Sequence, residues 1–165
     1  MDNEINNLHQ IFTNLFNKIS FNNFINDYEK NGESMISEIG LIDNPIIFNY
    51  EFGKEIDYGF IEYKRTLIHH NFKKSKLLRQ IYWRISESSS YSLNLCYYII
   101  GLENSGIYSN IDTNELYNSL NIIKKTIYNT NINCEYIFLF DKNHNSKILI
   151  VKLYIENINY LNCLF

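Results

Sequence analysis

Phe60-Ile61-Glu62-Tyr63-Lys64-Arg65-Thr66-Leu67-Ile68 is the stretch from which the fold is read. Its side chains alternate. Ile61, Tyr63, Arg65 and Leu67 fall on one side, and Glu62, Lys64 and Thr66 on the other, which is the two-residue period of a strand. Downstream, Ser75–Glu87 changes to helical spacing. Leu78, Ile81, Tyr82 and Ile85 mark an apolar face, and Lys76, Arg79 and Arg84 are expected to turn away from it. Asn94–Leu102 is mostly apolar and reads as a second strand. Glu103-Asn104-Ser105-Gly106 supplies a turn, because Asn and Gly tolerate positive φ. Ile107–Ile111 is the expected returning strand.

Further out, Asp112 with Glu115 forms a helix-start signature ahead of a stripe of Leu116, Leu120, Ile123 and Ile127. Cys134–Phe140 and Ser146–Ile155 are expected strands joined by the polar turn 141–145. Before the central stretch, residues 4–19 carry Ile5, Leu8, Ile11, Phe12, Leu15, Phe16 and Ile19 at helical spacing. A second helical piece is expected at Asn22–Tyr28 and a short strand at Ile46–Tyr50. The predicted class is α+β: a mainly antiparallel sheet of about five strands with two helices on one face, in the order β-α-β-β-α-β-β, plus an N-terminal helix. The expected division is 1–54 for the N-terminal helix and connector and 55–165 for the α+β domain.

Composition narrows the class of protein. The chain has 165 residues, 45% hydrophobic and 20% charged, the balance of a globular domain. No apolar run approaches the roughly 18–20 residues needed to cross a bilayer, and the acidic start does not read as a signal peptide. A cytoplasmic location is expected, with no membrane partner. Cys96, Cys134 and Cys163 lack metal-ligand spacing and read as thiols in a reducing compartment. Alanine is absent, Val151 is the one valine and Pro45 the one proline. This usage points to an AT-rich genome, such as that of a giant DNA virus, a protist or an AT-rich bacterium. The asparagine-rich patches therefore carry little functional weight.

Charge is unevenly placed. The net charge is −3, yet Lys64, Arg65, Lys73, Lys74, Lys76, Arg79 and Arg84 follow one another with no acidic residue between Lys64 and Arg84. Such a strip is either the footprint of a polyanion contact or a solvated helix face paired with acidic neighbours, and on the first reading these seven are the candidate nucleic-acid-binding residues. Glu62 and Lys64 share a strand face and form either an ion pair or the start of a metal-dependent phosphodiesterase site. His69-His70 would point to opposite faces and make a poor chelate. Trp83, next to Arg84, either covers the seam between helix and sheet, the expected role, or stacks on a base. Neither a metal nor a cofactor is expected.

Three motifs in order carry a resemblance. They are Asp57-Tyr58-Gly59-Phe60-Ile61-Glu62-Tyr63-Lys64, Trp83-Arg84-Ile85-Ser86-Glu87 and Ile100-Gly101-Leu102-Glu103-Asn104-Ser105-Gly106. Together they resemble the N-terminal accessory domain of the GTP-binding-protein-1/2 family of elongation-factor-like translational GTPases, over roughly residues 55–155. In that family a GTPase core follows. This sequence holds no Gly-x-x-x-x-Gly-Lys-Ser/Thr loop and no guanine-reading Asn-Lys-x-Asp. The resemblance implies a non-catalytic interaction domain whose partners are RNA, a ribosome-associated factor or a separate GTPase. A weaker similarity runs to Schlafen/AlbA-type domains, some of which cut RNA. It would make Glu62 and Lys64 catalytic, but the Ala-Asn-x-x-Gly-Gly stretch expected between the motifs is replaced by Ser88-Ser89-Ser90.

Overall fold

The computed structural model describes residues 2–29, 45–69 and 73–156. Five strands form one sheet: β1 (Ile46–Ile47), β2 (Ile61–Lys64), β3 (Leu95–Ile100), β4 (Ile132–Asp141) and β5 (Ser146–Ile155). Their spatial order is β1-β4-β5-β3-β2. The helices are α1 (Asp2–Glu29), α2 (Lys74–Glu87) and α3 (Thr113–Ile127). The α+β class, the five strands and the N-terminal helix agree with expectation.

The sheet is mixed rather than mainly antiparallel. β2 pairs with β3 and β1 with β4 in parallel, while β3–β5 and β4–β5 are antiparallel. The chain from β2 to β3 passes through α2, and a helical crossover returns the next strand in the same direction. The expected returning strand Ile107–Ile111 does not form. Both edges of β3 are already taken, by β2 and β5, and Leu102–Tyr108 makes only an isolated bridge beyond the strand's end. The turn itself is present. Gly106 has φ +92°, and a Cβ there would lie 2.5 Å from the Gly53 carbonyl oxygen, so the connector backbone crosses where no side chain can stand.

The layers follow from β3. Tyr97 meets Phe12 of α1 at 4.9 Å between ring centroids. Its neighbours Cys96 and Tyr98 face α2, where the Tyr98 hydroxyl donates to Gln80 at 2.9 Å. Successive residues point to opposite faces, so α1 covers one face of the sheet and α2 the other. α3 packs beside α2 and against β5 and β4. With both faces covered, Cys96–Ile100 is buried throughout, which explains its continuous apolar reading. Burial also pushes the Cys96 thiol upward and keeps it protonated. Cys134 is half-buried, and Cys163 lies outside the described residues, as do His70 and the tail from residue 157.

Local chemistry sets the ends. Asp112 caps α3 by accepting the Glu115 amide at 2.8 Å, a bond worth about 1 kcal/mol. The two helical pieces expected before residue 29 are one continuous helix, α1, with Ile5, Leu8, Phe12 and Phe16 in the core. The Phe60–Ile68 strand is cut to Ile61–Lys64. Beyond it the chain bends toward α3, and the Leu67 amide donates to buried Ser119 Oγ at 3.1 Å. The apolar face of α2 is rotated from the expected one. Leu77, Ile81, Arg84 and Ile85 are buried and Tyr82 is exposed, so Arg84 lies inside the stripe.

A buried carboxylate pins the connector to the β4–β5 hairpin. Asp141 is 1% exposed. It accepts from the Tyr50 amide (3.2 Å), the Tyr108 hydroxyl (2.8 Å), and the amide and Nδ1 of His144 (both 3.0 Å). His144 stacks on Tyr108, and its Nε2 lies 3.2 Å from Glu51. Burial works to raise the Asp141 pKa, but the hydrogen bonds from His144, Tyr108 and the backbone prevail and hold it at about 2.

Candidate nucleic-acid interface

The seven basic residues do not share one surface. Arg84 is 3% exposed and points into the protein. Its Nε and Nη2 donate to Glu62 Oε2 at 3.1 and 2.5 Å, and Nη1 donates to the Gly59 carbonyl at 2.9 Å. Glu55 Oε2 lies 3.9 Å from the same guanidinium. Arg84 therefore cannot meet an external phosphate, and its place in the expected strip is corrected. Helical spacing puts position 84 on the stripe of 77 and 81, but hydropathy alone would not place an arginine inside. Arg65 is exposed and lies 3.7 Å from Glu103.

Lys64, Lys73 and Lys76 converge, lining a cleft of about 260 Å³ with His69, Leu67, Leu77 and Gln80. The end of β2 delivers Lys64, Lys73 is the N-cap of α2, and Lys76 and Gln80 follow on one side of that helix at four-residue spacing. Lys64 is also 3.4 Å from Glu62 Oε1. Lys73, Lys74, Lys76 and Arg79 form no ion pair with any described residue.

Lys74 lines a neighbouring cleft of about 430 Å³ with Lys124, Lys125 and Tyr128. Sequence reasoning missed Lys124 and Lys125. Lysines in the last turn of a helix complement its dipole, and that ordinary role hides any other. Arg79 is exposed and lines neither cleft.

On the far side of Lys64, a third cleft of about 520 Å³ is lined by Glu55, Glu62, Lys64, Arg65 and Glu103, among others. Glu55 accepts the Tyr63 amide at 2.6 Å, capping the outer edge of β2. Burial, with nearby Glu62, pushes the Glu55 pKa up to about 7 against the opposing pull of that amide and Arg84. Both oxygens of Glu62 are occupied by Arg84 and Lys64. Among the described residues, no three His, Cys, Asp or Glu side chains could together hold a metal ion. Trp83 is 45% exposed and lies over the Arg84 guanidinium at 4.8 Å, covering the ion pair.

The Glu55 shift has a testable sign. The folded chain holds this proton up to about pH 7, against an ordinary value of 4.5. Through that window the folded state binds more protons than the unfolded state, so stability falls as pH rises. Glu55→Gln keeps an acceptor for the Tyr63 amide and should remove most of that decline. Melting temperatures of both proteins at about pH 5 and about pH 7.5 check this. Equal declines in the two would refute it.

No helix of the described residues is long and apolar enough to cross a membrane. No protein-family model matches the chain, and no curated protein is significantly similar to it.

Proposed function

We propose that this protein is a non-catalytic module that binds RNA, in the manner expected of the accessory domain of elongation-factor-like GTPases. The observation that carries the reading is the convergence of Lys64, Lys73 and Lys76 on one cleft in a chain of net charge −3. A polyanion is the ligand such a surface attracts, and its affinity comes largely from counterion release. Lys74 and Arg79 extend the positive surface from the same helix. The three-motif resemblance supports a translation-related RNA or ribosome-associated context, with a separate GTPase as the companion that its family implies.

Reversing Lys73, Lys74 and Lys76 to Glu should weaken transfer-RNA binding at least tenfold at low salt. It should also lower the slope of log affinity against log salt by about 2, at roughly 0.7–0.9 for each phosphate no longer neutralised. Filter binding across a salt series is the measurement. Identical curves for variant and parent would remove the proposal.

The Schlafen/AlbA-type nuclease reading draws on the approach of Glu55 to Glu62 and Lys64 in the 520 Å³ cleft. Against it, Glu62 is already committed to Arg84 and Lys64. Cutting of labelled transfer RNA that needs a divalent metal and is lost in Glu62→Gln would favour this reading.

A further inference from the structure

Tyr128 is 71% exposed, more than any other large hydrophobic side chain among the described residues. Its side chain makes no hydrogen bond or ring contact with any described residue. Its mount is nevertheless firm. It is the residue that ends α3, with extended backbone, and Asn129 then turns at φ +62°. Thr130 closes the turn, its amide and hydroxyl both donating to the Ile127 carbonyl at 3.0 and 2.6 Å, and its Oγ1 accepts the Ile132 amide at 3.1 Å. Across the turn, the Tyr82 hydroxyl donates to Asn131 at 2.8 Å, tying it to α2. The result is an aromatic ring in solvent on a braced turn, beside Lys74, Lys124 and Lys125.

We propose that the α2–α3 cleft seats a single-stranded stretch of nucleic acid, with Tyr128 stacked on an unpaired base and Lys74, Lys124 and Lys125 on the flanking phosphates. This rests on the RNA-binding reading and narrows it. A ring paired with phosphate-facing lysines suits a strand whose bases are free, since a base inside a duplex has no open face to offer. Of the exposed rings on α2, Trp83 is a weaker candidate because the Arg84 guanidinium already lies over it, and Tyr82 because its hydroxyl is tied to Asn131. Lys124 is exposed, and its Nζ lies 4.8 Å from the Tyr136 ring, which orients it.

The test is fluorescence anisotropy of the whole chain with a labelled oligouridine of about 20 nucleotides and a blunt RNA duplex of equal length, a size that spans a typical single-strand site. Tyr128→Leu should weaken strand binding about tenfold, leave the salt slope unchanged and leave duplex binding within about twofold. Tyr128→Phe should bind as the parent does. Lys124→Gln with Lys125→Gln should lower the single-strand slope by about 1.4. The ring is exposed, so these variants should melt with the parent. If Tyr128→Leu holds the strand as the parent does while the Lys73, Lys74 and Lys76 reversal still releases it, the inference fails and the RNA-binding reading stands. Binding of neither probe by the parent overturns both, and preference for the duplex overturns the inference alone.

Discussion

Arg84→Met should cost about 3–5 kcal/mol of folding stability, a large part of the roughly 5–15 kcal/mol typical of a domain. The guanidinium satisfies Glu62 from two nitrogens and the Gly59 carbonyl from a third, and it lies beside Glu55. Removing it strands a buried carboxylate with only the half-buried Lys64 as a partner. Arg84→Lys should recover little, because an ammonium cannot reproduce the planar fork that spans Glu62 and Gly59. Adding Glu62→Gln to Arg84→Met should restore part of the loss, since the cost lies mainly in the unpaired charge. Urea unfolding of the single and double variants measures the coupling. Strictly additive costs would show that the pair does not act as a unit, and a near-neutral Arg84→Met would show that water reaches Glu62.

Asp141→Asn should be the second most damaging single change, at about 2–4 kcal/mol. The carboxylate faces four donors, the Tyr50 amide, the Tyr108 hydroxyl and two groups of His144, and an asparagine turns one acceptor into a donor among them. The pH dependence has the opposite sign to that of Glu55. The Asp141 carboxyl is held at about 2, below the ordinary 3.8, so the folded state binds fewer protons between those values. Its contribution is fully present above about pH 4 and is lost as pH falls toward 2. The variant should therefore unfold at about the same urea concentration at pH 3 as at pH 5, over a window in which the parent weakens. Parallel acid profiles for the two would contradict the assignment.

Much of the fold is legible in the sequence because its periodicities are strong. Ser75–Glu87, the capped helix after Asp112 and the two long final strands appear close to where spacing places them. What misleads is competition for partners. Ile107–Ile111 has the composition of a strand and follows a true turn, but hydrogen bonding is decided by which edge is vacant, and no local pattern reveals that β5 occupies it. The site is half legible. Lys64, Lys73 and Lys76 do converge, while Arg84 reads as a surface cation because charge outweighs helical phase along a one-dimensional string. Lys124, Lys125 and Tyr128 stand some fifty residues from Lys74 and meet it only through the packing of α3 beside α2.

The strand order carries a consequence for biosynthesis. β5, the last of the described strands to be made, lies between β3 and β4 and is the neighbour that joins the two halves of the sheet. While a ribosome is still building it, β3 and β4 each lack the partner on that side, and β1 awaits a neighbour encoded some ninety residues later. The sheet therefore cannot be completed until nearly all of the described chain has emerged.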